Sequence, residues 1–362
     1  MKSIGIRLFS ALVFVLPANL SGMAQQPRLA GGQPTILTAA GSLDNQIRSL
    51  AAGQVSPAWI GYAVPMIPGE HDMCCYDHSA GGGCCGTCRL EGKDSGSVNS
   101  RDSRRVSLES GRSLFVLFRV EKGQIHRIRT VSQECELDAG GLPFYWLTGV
   151  RAPDSVSLLL NLAHAADPEE KRPPRPAESA LAALAFHDDA SADAAFEQLA
   201  SPNQPESIRE RASFWLGAAR GARGYDVLRR MMREDPSPKV REKVVFALSV
   251  SGEPGAVDTM IEAAKGDKSD HVRGQALFWL GQKAGRKAVG ALTDAIENDP
   301  ETEVKKKAVF ALSQLPADEG VPRLIQVART NKNPAVRKQA MFWLGHSEDP
   351  RALKFFEEVL TR

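Results

Sequence analysis

The sequence lacks most of the signatures that declare an enzyme. No Gly-x-Ser-x-Gly, no phosphate-binding loop, no Rossmann strand–glycine–helix fingerprint and no His-Glu-x-x-His is present. That removes the nucleophile-elbow, nucleotide-binding and zinc-protease readings. Charge of one sign is also lacking: 45 Lys and Arg stand against 43 Asp and Glu. A formal charge of +2 leaves no electrostatic footprint for nucleic acid. Aromatic residues make up only 6%. Beyond the first two dozen residues no apolar run is long enough to cross a bilayer. Cysteine is confined to Cys74, Cys75, Cys84, Cys85, Cys88 and Cys135.

What is present begins with a leader. Lys2 and Arg7 precede an apolar run from Leu8 to Leu16, and Gly22-Met-Ala24 forms a small-residue site before Gln25. This pattern predicts a signal peptide over residues 1–24, cleaved after Ala24, and so a periplasmic or secreted protein. Removing it leaves 43 charges of each sign. In an oxidising compartment an even set of cysteines predicts disulfides.

The strongest signal is a repeat. Phe-Trp-Leu-Gly occurs at 214–217, 278–281 and 342–345, and Phe-Ala-Leu-Ser falls halfway between, at 246–249 and 310–313. The interval is 32 residues each time, without insertion. Ile208, Val240, Val272, Val304 and Val336 form one column, each followed by a basic residue: Arg209, Arg241, Arg273, Lys305 and Arg337. A sustained period of this length means stacked supersecondary units, none of which can bury its apolar face alone.

Within each unit the pattern predicts two helices. Val240, Val244, Ala247 and Leu248 share one helical stripe, and Val257, Met260 and Ile261 another. Asp235-Pro, Asp299-Pro and Asn333-Pro mark turns between units. The column Asn203, Asp235, Asp267, Asp299 and Asn331 is expected to cap the following helix and meet the basic column. The Trp/Ala alternation predicts large-beside-small packing, since two indoles at one level would overpack. Phe214, Phe246, Phe278, Phe310 and Phe342 admit two readings: packing between units, or an apolar groove that receives a partner. At the far end Phe355, Phe356 and Leu360 are expected to close the stack.

The cadence Asp235-Pro-Ser-Pro-Lys-Val-Arg241, with Asp299-Pro-Glu-Thr-Glu-Val-Lys305, resembles HEAT-like repeats of the phycobilisome-lyase type. The resemblance covers about half the chain and implies an all-α solenoid. It extends to a degenerate capping repeat at 177–207 before the clear repeats at 208–362. One class of HEAT-like enzyme, the deoxyhypusine hydroxylases, holds iron through His-Glu pairs; none of the seven histidines here is followed by Glu.

The N-terminal half does not repeat. A helix with Ser42 as N-cap, a strand at Ala58–Ile67, a hairpin turning at Glu121-Lys-Gly-Gln124 and a strand near Phe144 predict a small Cys-rich α+β domain over 26–152. In the hairpin Ile125, Arg127, Arg129 and Val131 alternate along one strand. A helix and Pro-rich linker are expected over 153–176, before the solenoid at 177–362. Residues 71–88 gather His71, Asp72, Cys74, Cys75, Asp77, His78, Cys84, Cys85 and Cys88. Three readings stay open: a disulfide framework including Cys135, a metal site, or a redox Cys85-Gly-Thr-Cys88. Cys135 is expected to tie the hairpin to this segment.

Together these features predict an exported, non-enzymatic scaffold that binds a protein partner, without cofactor. The alternative is a metal-binding or thiol-redox protein centred on Cys74–Cys88, with the solenoid as docking arm.

Overall fold

A computed structural model describes residues 26–69, 88–91, 112–164 and 175–361. The leader at 1–24, four of the cysteines (Cys74, Cys75, Cys84 and Cys85), His71 and His78 lie outside the described residues. Most of the Pro-rich segment lies outside them too.

The N-terminal part is built on a five-stranded sheet. Its strands are β2 (Thr35–Thr38), β3 (Ala58–Pro65), β4 (Ser113–Glu121), β5 (Gln124–Ser132) and β7 (Phe144–Thr148), in the order β2-β7-β3-β4-β5. β7 runs parallel to β2 and β3; the β3–β4 and β4–β5 pairs are antiparallel. A separate short ladder joins β1 (Arg28–Leu29) to β6 (Glu136–Leu137). β3 and β4 are buried on both faces, which their near-continuous apolar sequences anticipate. The hairpin turns at Lys122 and Gly123, both at positive φ. A register shift pairs Val120 with Ile125 but Arg119 with Arg127. Ile125 therefore packs on the helix side and Val131 on the opposite side. This corrects the single alternation expected from Ile125 to Val131, because a bulge changes which face follows.

One sheet face meets α1 (Leu43–Ala52), α2 (Ala152–His164) and α3 (Arg175–Ala185). Ser42 caps α1 through the Asn45 N–H. The other face closes on Leu90, Leu137 and Cys135 with Trp59, Phe115 and Trp146.

The C-terminal part is a stack of helix pairs. α3 and α4 (Ala190–Leu199) form the degenerate first unit. The first helices of the clear units are α5 (Glu206–Ala219), α7 (Pro238–Val250), α9 (Asp270–Lys283), α11 (Thr302–Ser313) and α13 (Pro334–Gly345). The second helices are α6 (Gly221–Glu234), α8 (Ala256–Gly266), α10 (Val289–Asn298), α12 (Ala317–Thr330) and α14 (Pro350–Leu360). Equivalent first helices pack side by side, α5 on α7 on α9 on α11 on α13. In α8 it is Met260, with Ala263 and Ala264, that is fully buried, while Val257 and Ile261 are half-buried. Leu360 does not close the stack. It is 83% exposed, because Phe355 already fills the last gap between helices and no described element lies beyond it.

Sheet and stack share one core. A single cluster of buried side chains runs from Leu43 in α1 to Phe355 in α14. α2 packs on α3 and α4, and α3 packs on β5. The end of β3 is also stitched to the α3–α4 turn: the Ile67 N–H donates to the Phe186 carbonyl and the Asp188 N–H to the Pro65 carbonyl, each at 3.0 Å.

Candidate interaction surface

The basic and acidic columns meet as a ladder. Arg209 grips Asp235 through Nε and Nη2 at 2.7 and 3.0 Å. Arg241 grips Asp267 at 2.8 and 2.9 Å, and Arg273 grips Asp299 at 2.7 and 3.1 Å. Each Asp also accepts from the N–H two residues on, in Ser237, Ser269 and Glu301, and so opens the next helix. Arg241 and Arg273 return Nη1 to the carbonyls of Asp235 and Asp267. These hydrogen bonds to the carboxylates raise both guanidinium pKa values. Such two-point, multiply bonded pairs tolerate burial where a single contact would not. The ladder ends after three rungs: Lys305 turns to the Glu297 carbonyl, and Asn331 keeps the capping role while its amide donates to the Ile296 carbonyl.

The five Phe residues form a second ladder. Phe214 stacks on Phe246 at 6.0 Å between ring centres, and Phe278 on Phe310 at 5.8 Å. Trp279 bridges Phe246 to Phe278, and Trp343 bridges Phe310 to Phe342, all at 5.0 Å. Trp215 joins Phe214 to Phe186. A continuous line of rings thus follows the stack from Phe186 to Phe342. Phe214, Phe246, Phe278 and Phe310 are half-buried, and Phe342 is 52% exposed. The rings pack between units, as the first reading expects, and they remain partly exposed.

The alternation has its steric cause here. A Cβ on Gly281 would lie 2.8 Å from the Cα and Cβ of Ala311. One on Gly217 would lie 3.1 Å from the Ala247 Cα. The glycine of each Trp-Gly pair is therefore what lets the next helix approach this closely. Where Ser replaces Gly, the hydroxyls of Ser249 and Ser313 donate back to the Phe246 and Phe310 carbonyls.

Positions three, four and seven before each Phe share its helical face. They carry Arg211, Lys239, Lys243, Lys306, Lys307 and Lys338, against Glu210, Glu242 and Glu303. Gly274 lets the Lys307 stem lie across α9: a Cβ there would sit 2.5 Å from its Cδ. The open ring edges thus run beside a cationic margin.

Cys88 is bonded to Cys135, with Cα atoms 5.5 Å apart. The bond ties residues 88–91 to the hairpin, as expected for Cys135, and closes Cys88 onto Cys135 rather than onto Cys85. Around it the Leu90 N–H donates to the Asp138 carbonyl, and Trp59 and Arg119 both donate to Glu91. Among the described residues no cluster of His, Cys, Asp and Glu could hold a metal. No described helix is long and apolar enough to cross a membrane.

A buried relay escaped sequence reading. Tyr62 donates to Ser155 at 2.7 Å, Ser155 to His187 Nε2 at 2.8 Å, and His187 Nδ1 to the Ala183 carbonyl at 2.8 Å. The carbonyl can only accept, so it fixes the proton on Nδ1 and sets the direction of the whole chain. Burial pushes the Tyr62 hydroxyl pKa up and holds His187 down at about 4. The relay joins β3, α2 and the end of α3, three elements with no sequence proximity.

Residues 192–281 and 289–362 match a family model described as HEAT repeats. Among solved structures, the chain is similar to the complex of CpcE and CpcF of phycocyanin lyase from Nostoc sp. PCC7120. That match is 24% identical, covers 43% of this chain and 99% of that one, and has a TM-score of 0.34. It is similar also to human deoxyhypusine hydroxylase in complex with glycerol, at 20% identity over 58% of this chain and 79% of that one, TM-score 0.29. No curated protein matches. On the family match, the 32-residue period and the stacked helix pairs, the C-terminal helical array is built of HEAT repeats.

Proposed function

We propose that the protein is an exported, non-enzymatic scaffold that binds a partner protein along the open edge of its aromatic ladder. The observation that carries this reading is the continuous line of rings from Phe186 to Phe342, each stacked on the next yet edge-accessible beyond Trp215. Rigid aromatic surface at low entropic cost is what interaction hot spots use. The flanking lysines favour a partner surface that presents acidic groups beside apolar ones. Export follows from the leader at 1–24, and the Cys88–Cys135 bond suits an oxidising compartment.

The metal or redox alternative loses one of its ligands to that bond, since a disulfide sulfur is neither thiolate nor thiol.

The test places a photo-cross-linking residue at Gln282 or Gln314, which are exposed on the ladder helices, or at Asp294 and Glu297, exposed on α10. One discrete protein cross-linked in the cell envelope from the first pair and not from the second is expected. Equal labelling from both faces would sink the ladder reading. Mass measurement of the purified protein checks export, with a mature chain starting at Gln25 expected.

A further inference from the structure

Contacts between units alternate between two kinds, and the last described unit holds one half of the first kind with no described residue against it. At α5–α7 and again at α9–α11 three contacts recur, of which the ion pair is made at α7–α9 as well, by Arg241 and Asp267. Arg209 and Arg273 place Nε and Nη2 on Asp235 and Asp299. Five residues on, Phe214 and Phe278 stack on Phe246 and Phe310 with ring planes 14° and 9° apart. Three residues further, Gly217 and Gly281 leave room for Ala247 and Ala311.

α13 repeats the same triplet at the same spacing: Arg337, Phe342, Gly345. Among the described residues none of the three has its counterpart. Arg337 places Nη1 on the Asn331 and Lys332 carbonyls, and no carboxylate meets its Nε or Nη2. Phe342 is 52% exposed. Nothing lies within 4 Å of a Cβ built on Gly345. On α14, Leu353 and Leu360 are 65% and 83% exposed, whereas Val321 and Ala328, one period earlier, are 4% and 3% exposed.

We propose that this face of the last described unit is a docking seat for one helix of a partner protein. The turn that leads into that helix carries Asp, and the helix itself carries Phe and a small residue eleven and twelve positions after it. The occupant is read from the interface the chain already makes twice, where Asp235, Phe246, Ala247 and Asp299, Phe310, Ala311 have that spacing. The Asp completes the fourth two-point ion pair, the Phe stacks on Phe342, and the small residue closes on Gly345. A second copy that presented its own α13 in the parallel register of the stack would bring Trp343 to the position that Ala247 and Ala311 hold, which the close approach forbids. The other end of the array offers no seat, because α3 is covered by β5. The proposal rests on the interaction reading only in that the ligand is a protein; its site is the end of the stack and not the ladder edge.

The probe is a labelled peptide of residues 299–313, held helical by a staple on the side away from Phe310 and Ala311. Circular dichroism confirms its helicity, and it is titrated with the full chain by fluorescence anisotropy. Saturable binding is expected, weakened at least tenfold by Gly345→Leu in the protein. That side chain enters open space, so the melting temperature does not fall. The Ala311→Trp peptide is expected not to bind. Absence of binding up to about 1 mM, the weakest affinity worth calling a site, would overturn the proposal. So would binding indifferent to Gly345→Leu or to Ala311→Trp. Dimerisation of the chain, seen by sedimentation and lost in Gly345→Leu, would assign the seat to a second copy and overturn the partner assignment. Cross-linking from Gln282 should survive Gly345→Leu, so failure of the seat and failure of the ladder reading are told apart.

Discussion

His187 illustrates how much a single residue can hold. Neutral, it donates from Nδ1 to Ala183 and accepts at Nε2 from Ser155. Protonated, it must donate at both nitrogens, and Ser155 can then no longer serve Tyr62 as before. Burial, helped by the nearby Arg220 and opposed by the Ala183 bond and Asp189, lowers its pKa from 6.5 to about 4. Because the folded value is depressed, the unfolded chain binds the proton more readily. The stability tied to this group is therefore present above pH 6.5 and falls away as pH drops toward 4, by about 3 kcal/mol in all. The expected outcome is a melting temperature that declines across that window in wild type and declines less in His187→Gln. Parallel pH profiles for the two proteins would show that the relay is not what titrates.

Between elements, the spacing of one helix from the next is set by a few atoms. Gly281→Ala pushes a methyl to within 2.8 Å of the Ala311 Cα, and overpacking of this kind costs about 1–3 kcal/mol. Gly345→Ala meets nothing and exchanges a poor helix former for the best one, so it should be neutral or stabilising by up to about 1 kcal/mol. Denaturant unfolding of the two variants beside wild type decides the matter; an equal effect at both positions would refute the steric account. The Arg–Asp rungs act at the same scale. With side chains 5% and 1% exposed, the Arg209–Asp235 pair fixes the turn that starts α7, so it holds register between units as well as charge.

As a whole, the molecule is a sheet continued into a stack without a break in the core. In a one-dimensional array each unit is held by its neighbours, and an end unit has fewer. Amide exchange should accordingly be slowest in β3, α3 and α5, and fastest in α13 and α14, where Phe342, Leu353 and Leu360 lie open. Uniform exchange along the array would mean that end effects are negligible and that it unfolds as one unit.

The repeat was legible because its causes are local in pattern. Each unit buries the same stripe against the same neighbour, so a period of 32 residues in Val, Leu, Phe and Arg columns carries both the helix pairs and the Arg–Asp ladder. The Trp/Ala alternation likewise announces its own reason, since volume must be shared across one interface. In the N-terminal part the strands and the α1 cap were visible, yet the strand order was not. Placing β7 between β2 and β3 depends on long-range pairings that leave no periodic trace. The bulge that separates Ile125 from Val131 is invisible for the same reason. The Tyr62–Ser155–His187 relay could not be read at all, because a lone Tyr, Ser and His have no spacing rule. The open edge of the Phe ladder and the uncovered Arg337, Phe342 and Gly345 were likewise decided only in three dimensions. Sequence determined that these side chains repeat; packing determined which of them a neighbour covers, because exposure belongs to the assembled stack and not to any one unit.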